Sequence, residues 1–172
     1  MNMKMIGYSL IMVVTSMMLF SACTINSQQA KVLANQAGLY SAVGWIAVDN
    51  PPVEVKSNMV NILTVIVSRS ASISTNQSYS DLYPDIVKLL NTQPIPQQYK
   101  PLTLVGTVTV LGGIDMLFAT YPNLKSKQDV ALMVVTSFCD GAKNGLNMTA
   151  SDPIMKSAVK TSILRHRAFI SN

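Results

Sequence analysis

Residues 102–120 read LTLVGTVTVLGGIDMLFAT, and the structure assigned to them decides the fold class. Two periods compete here. Leu104, Gly106, Val108 and Val110 alternate as a strand would, and Val and Thr favour extended chain. Leu104, Val108, Leu111, Asp115 and Phe118 recur at helical spacing. The apolar run is long for one strand, and no partner strand is evident elsewhere, so length favours a buried helix. The pair Gly112-Gly113 is expected to kink it. No charge occurs between Leu102 and Ile114, so membrane insertion stands beside core burial. The short length and the Thr and Gly content favour the core.

Upstream of this stretch the helical signal is plainer. Gln28 to Val48 is expected to be a helix, with Leu33, Ala37, Tyr40, Gly44 and Ala47 along one face. A second row, Ala34, Gly38 and Ala42, consists of small residues spaced by four, which lets two helices approach closely. Tight packing inside the domain is the favoured use of that row, ahead of a membrane dimer seam. Trp45 belongs to the core. Asn50 reads as an N-cap, with Pro51 in the first turn of the next helix. That helix runs from Val53 to about Ile73. Val55, Met59, Ile62 and Ile66 form its stripe, widened by Val60, Leu63 and Val67.

Ser68 to Ser80 is polar and reads as a loop. A short helix follows, with Pro84 in its first turn and Ile86, Leu89 and Leu90 inward. Pro94, Pro96 and Pro101 make Thr92 to Pro101 an extended connector. Beyond the central stretch, Tyr121-Pro122-Asn123 is a turn, and Ser126 to Asp129 resembles a capping box. The following helix reaches about Lys143, with Leu132, Val135, Cys139, Ala142 and Leu146 on one face and Gly145 as terminator. A last helix starts at Asp152-Pro153, with Met155, Ala158, Ser162 and Phe169 toward the core.

The N-terminus carries an address. Lys4 precedes an apolar run from Met5 to Phe20, and Ser21-Ala22-Cys23 follows. This arrangement resembles the lipobox of bacterial lipoproteins. The resemblance implies that residues 1–22 are removed and that Cys23 is acylated with three chains. Phe20 departs from the pattern, with Leu19 one place further back, and Lys4 is the sole basic residue of the leader. The competing reading is an uncleaved anchor, since Met5 to Ala22 is close to the minimum spanning length. The absence of a basic stop-transfer flank favours cleavage. Both readings place the body outside the cytoplasm. Thr24 in place of Asp points, by the same resemblance, to the outer membrane. Residues 23–29 then form a tether and 30–172 a single helical domain of five or six helices.

Composition argues against most chemistry. The chain has 13 Lys and Arg, 8 Asp and Glu, one His and two Cys. Such a small basic excess is no nucleic-acid signature. One His and one thiol besides Cys23 cannot hold zinc, and no cofactor is implied. His166, between Arg165 and Arg167, lacks any evident catalytic partner. Asp115, inside an apolar run, is the best single candidate for a functional acid, although a helix-edge position accounts for it as well. Phosphate-loop and dinucleotide fingerprints are absent. The expectation is therefore not an enzyme. Lys156, Lys160, Arg165 and Arg167 form a basic end that complements a helix dipole and is a candidate contact for anionic headgroups.

The body is similar, without any specific motif, to small helical lipoproteins of bacteria and their phages. The expected function is a membrane-anchored, non-enzymatic adaptor at the cell envelope with a protein partner there, of the kind used in phage exclusion or lysis. The rivals are a carrier of an apolar ligand between helices and a membrane-active protein using residues 102–120. A preformed cavity would favour the carrier. A filled bundle with an exposed apolar patch would favour the adaptor.

Overall fold

The computed structural model describes residues 26–73, 77–92, 95–148, 152–155 and 157. Cys23 and the leader, together with Lys156, Lys160, Arg165 and Arg167, lie outside the described residues, as do Ala158, Ser162, His166 and Phe169. The fold is all-α. The α-helices are α1 (Ser27–Asp49), α2 (Val53–Ser70), α3 (Tyr83–Thr92), α4 (Lys100–Thr120) and α5 (Gln128–Leu146). Short 3-10 turns at Tyr79–Leu82, Gln97–Tyr99 and Pro122–Lys125 lead into α3, into α4 and on towards α5. No strand occurs among the described residues. Pro153 to Met155 are helical, and Met155 is buried, as its place in the sequence suggested.

The central stretch is a helix without a break at Gly112-Gly113. It also starts earlier than expected. Pro101 sits in the first turn of α4, where its missing N–H costs nothing, so the Pro-rich connector ends at Tyr99. The helix is half in the core and half out, rather than buried throughout. Val110, Leu111, Ile114, Leu117 and Phe118 are buried, whereas Val108 is 43% exposed.

α1 begins with a capping box. The Asn26 side chain accepts from the Gln29 backbone N–H at 2.9 Å, and the Gln29 side chain returns the bond at 3.0 Å. Ser27 to Gln29, expected as the end of the tether with the helix from Gln28, form the first helical turn. At the other end Asn50 closes α1 in the left-handed region (φ 42°, ψ 56°), its N–H bonded to Ile46 O. Asn tolerates that conformation, so Asn50 is a C-cap and not the expected N-cap. The helical face also differs from the hydrophobic row. Ala30, Ala34, Ala37, Gly38, Ser41, Ala42 and Trp45 are buried, and Tyr40 is 52% exposed. The small row wins because α5 lies against it at backbone contact.

That contact defines the centre of the bundle, since α1 and α5 make its most extensive helix pair. A Cβ added at Gly38 would stand 1.8 Å from Phe138 O, and one at Gly141 would stand 1.8 Å from Asn35 O. Only glycine permits such an approach. The Asn35 side-chain amide donates to Ser137 O at 3.2 Å across the seam. Residue numbers rise together along the two helices, so they run parallel. Gly145 lies inside α5 against Leu39 and does not terminate it. The α5 N-terminus lacks the expected box: Lys127 is the N-cap, and the Ser126 hydroxyl donates to Asn123 O instead.

α2 follows the sequence closely. Val55, Met59, Ile62, Leu63 and Ile66 are buried, with Val60 and Val67 packed at the margin. Trp45 lies over Gly106 and Ser41 over Gly113. α4 therefore runs antiparallel to α1, and the start of α1 lies at the same end of the bundle as the end of α4.

Candidate functional site

Asp115 was the strongest acid candidate, and its surroundings explain its place. The carboxylate receives the turn at Tyr79–Leu82. The Ser78 hydroxyl donates to Oδ2 at 2.5 Å, the Ser80 hydroxyl to Oδ2 at 2.6 Å, the Ser80 N–H to Oδ2 at 2.9 Å and the Tyr79 N–H to Oδ1 at 2.7 Å. Partial burial raises its pKa, but the Ser78 and Ser80 hydroxyls and the two backbone donors outweigh burial and hold it below the usual carboxylate value. A proton donor needs the opposite shift, and a base needs a free lone pair. Asp115 is thus a clasp that ties residues 78–80 to α4.

The clasp seats an aromatic plug. Tyr79 is buried and stacks on Phe118, with ring centroids 5.4 Å apart and planes 15° apart. The Lys125 ammonium lies 5.8 Å from the Tyr79 ring centre and donates to Gln77 O. Burial, with smaller contributions from Asp115 and Cys139, pushes the Tyr79 phenol up to about 12. Cys139 is fully buried, and burial likewise pushes its thiol up to about 12, against a weaker opposing pull from Lys143. Such a thiol is a core residue rather than a nucleophile.

Two buried polar atoms, Trp45 Nε1 and the Tyr121 hydroxyl, have no hydrogen-bond partner. They are fifteen residues apart in α4 terms, because Trp45 packs at Gly106 and Tyr121 follows Thr120. They do not share a site. The Asp49 carboxyl, one turn beyond Trp45, is raised by burial and partly offset by the indole, which lies outside hydrogen-bonding geometry. No group of three metal-ligating side chains occurs among the described residues.

A recess between α2 and α3, lined by Val65, Ile66, Arg69, Leu82, Asp85, Ile86 and Leu89, has a volume of about 50 Å³. That is room for a water or two, well short of the roughly 300 Å³ where small-molecule sites begin.

What remains is surface. The exposed large apolar side chains are Val32, Tyr40 and Val48 on α1, Val53 at the start of α2 and Val108 on α4. Around Val108, the outer side of α4 continues through Leu104, Val105, Gly112 and Met116, all half-buried, to exposed Ala119. Gln97–Thr120 is the one segment among the described residues long and apolar enough to cross a membrane, and half of it is buried in the bundle.

No protein-family model, curated protein or solved structure matches this chain. The candidate site therefore rests on geometry alone.

Charge is unevenly placed. All eight acidic residues lie among the described residues, together with eight of the 13 basic ones. The described body is formally neutral. The excess of five sits at Lys4, Lys156, Lys160, Arg165 and Arg167.

Proposed function

We propose that the protein is a lipid-anchored, non-enzymatic binding protein of the cell envelope, tethered through acylated Cys23 and acting as an adaptor. The observation that carries the binding part is a filled core beneath exposed apolar side chains, Val32, Tyr40 and Val48 on α1 and Val53 on α2. The α1–α5 seam closes at backbone contact, and the recess between α2 and α3 holds about 50 Å³. Those facts favour a surface binder over the carrier. The engaged Asp115 and the buried Cys139 support a body without catalytic groups. The anchor rests on the sequence Ser21-Ala22-Cys23 after the apolar run. Stable attachment needs two or more acyl chains, which the lipobox reading supplies. The basic residues 156–167 would add attraction to anionic headgroups. The resemblance to envelope lipoproteins favours the outer membrane and a role such as phage exclusion or lysis.

Metabolic labelling tests the anchor. Cells supplied with labelled palmitate should yield a labelled protein in the envelope fraction, and Cys23→Ser should lose both label and sedimentation with membranes. Label that persists in Cys23→Ser would overturn the proposal.

A further inference from the structure

The outer face of α4 differs from that of every other α-helix described. α1 displays Lys31 and Gln36 outward, α2 displays Glu54 and Arg69, α3 displays Asp85 and Lys88, and α5 displays Asp129 and Asp140. After Lys100, α4 has one charge, Asp115, and no amide side chain. Both Asp115 oxygens are turned onto residues 78–80. All four of its threonine hydroxyls donate back to carbonyls one turn earlier: Thr103 to Tyr99, Thr107 to Thr103, Thr109 to Val105 and Thr120 to Met116. Exposed Thr64 on α2 does the same, so one such bond is no signature. On α5, Thr136 and Ser137 bond back in the same way, so what distinguishes α4 is its lack of exposed charged or amide side chains beyond Lys100. A helix that faces lipid must satisfy its polar groups internally, because hydrocarbon offers no partners.

Position points the same way. The start of α1 lies at the end of the bundle where α4 finishes. Cys23 precedes Asn26 by three residues, a reach of about 10 Å when extended. An anchor at Cys23 would hold the start of α1 within that distance of a bilayer surface, on the side of the bundle where α4 ends. Lys100 stands at one end of α4 and exposed Lys127 follows the other, whereas the Lys125 ammonium is bonded to Gln77 O. Long basic side chains at both ends can rest apolar stems on lipid and keep their ammonium groups among headgroups.

We propose that the α4 face formed by Leu104, Val105, Val108, Gly112 and Met116 seats in the headgroup–acyl boundary of the bilayer that anchors the chain. This inference rests on the anchored reading above. It places the helix in the plane of the interface, not across it. Trp45 lies over Gly106 and Phe138 over Gly113, so the opposite side of α4 is committed to the core. Insertion by about 5–10 Å is the usual depth for an interfacial helix.

The protein extracted from envelopes can be reconstituted into phosphatidylethanolamine–phosphatidylglycerol vesicles whose acyl chains carry bromine quenchers. Trp45 is the single native Trp and, being buried, supplies the baseline. A second Trp is added by Val108→Trp, by Met116→Trp, or by Val53→Trp, the last at the most exposed large apolar position among the described residues and on α2. Circular dichroism confirms that each variant keeps its helix content. The Val108→Trp and Met116→Trp emissions should be blue-shifted and quenched several-fold more than that of Val53→Trp. Equal quenching at all three sites would overturn the proposal. So would a blue-shifted but unquenched Val108→Trp signal that grows with protein density, since a second copy would then cover the face. Intact mass on the same sample reads the anchor separately, because an uncleaved chain would still be held in the vesicles by residues 5–20.

Discussion

Asp115 shows how far a residue's meaning depends on distant partners. In the sequence it is an acid stranded in an apolar run; in the fold four donors from residues 78–80 hold it ionised. Because its folded pKa is depressed, its contribution to stability is present above the ordinary carboxylate value and is lost as pH falls through the depressed one. Asp115→Asn should therefore destabilise the protein by about 1–3 kcal/mol at neutral pH, the scale of hydrogen bonds to a charged group, reduced by partial exposure. The mutant should also lose part of the wild-type decline in acid. Urea denaturation at neutral and acid pH measures both. Tyr79 and Cys139 have the opposite sense. Their neutral forms are favoured in the fold, with both groups near 12. Stability should be intact below the ordinary thiol value of 9.0 and fall as pH rises towards 12, because the unfolded chain ionises first. Thermal melts of wild type should show this alkaline loss, and Tyr79→Phe should flatten it. An iodoacetamide assay is the direct check on Cys139: alkylation there should follow global unfolding, and rapid labelling in the native state would show the burial to be incorrect.

Among the elements, legibility followed the source of the signal. α2 was readable because its core stripe is made of large aliphatic residues at 55, 59, 62 and 66, and size and hydropathy coincide there. In α1 they diverge. The eye follows Leu33 and Tyr40, but the buried face is Ala34, Gly38 and Ala42, because the partner helix comes close enough to exclude anything larger. The small row itself was visible in advance, and its use inside the bundle is as expected. Of the matching glycines on α5, Gly145 was expected to end the helix and Gly141 drew no expectation, because a glycine within a helix does not by itself show what packs against it. Gly141→Ala should cost about 1–3 kcal/mol, the range for overpacking a tight contact, since backbone rather than a flexible side chain must move. A chemical denaturation midpoint close to wild type would contradict the seam. For α4, length decided correctly between helix and strand. Its half-exposed face was not legible, because a helix apolar on both sides carries no periodic sign of which side is outward.

The whole molecule divides into a neutral, filled body and charged or apolar ends whose positions lie outside the described residues. Fold class could be read from the sequence because long apolar segments at helical spacing recur along it, even where the expected caps at Asn50, Ser126 and Gly145 did not form. Adaptor activity, anchorage and headgroup contact could be read only as expectations, since they depend on a processing signal and on partners that packing does not encode. The body supports them by what it offers: no ligand-sized recess between α2 and α3, one unpartnered apolar helix face and no free catalytic group at Asp115 or Cys139. Attachment is the claim from which the rest follows, because the proposed seating of α4 in the bilayer depends on it. Intact-mass spectrometry of the protein extracted from envelopes tests it most directly. The account predicts a chain that begins at Cys23 and carries the mass of attached acyl groups. A chain that still carries Met1, or a Cys23 with an unmodified thiol, would contradict it.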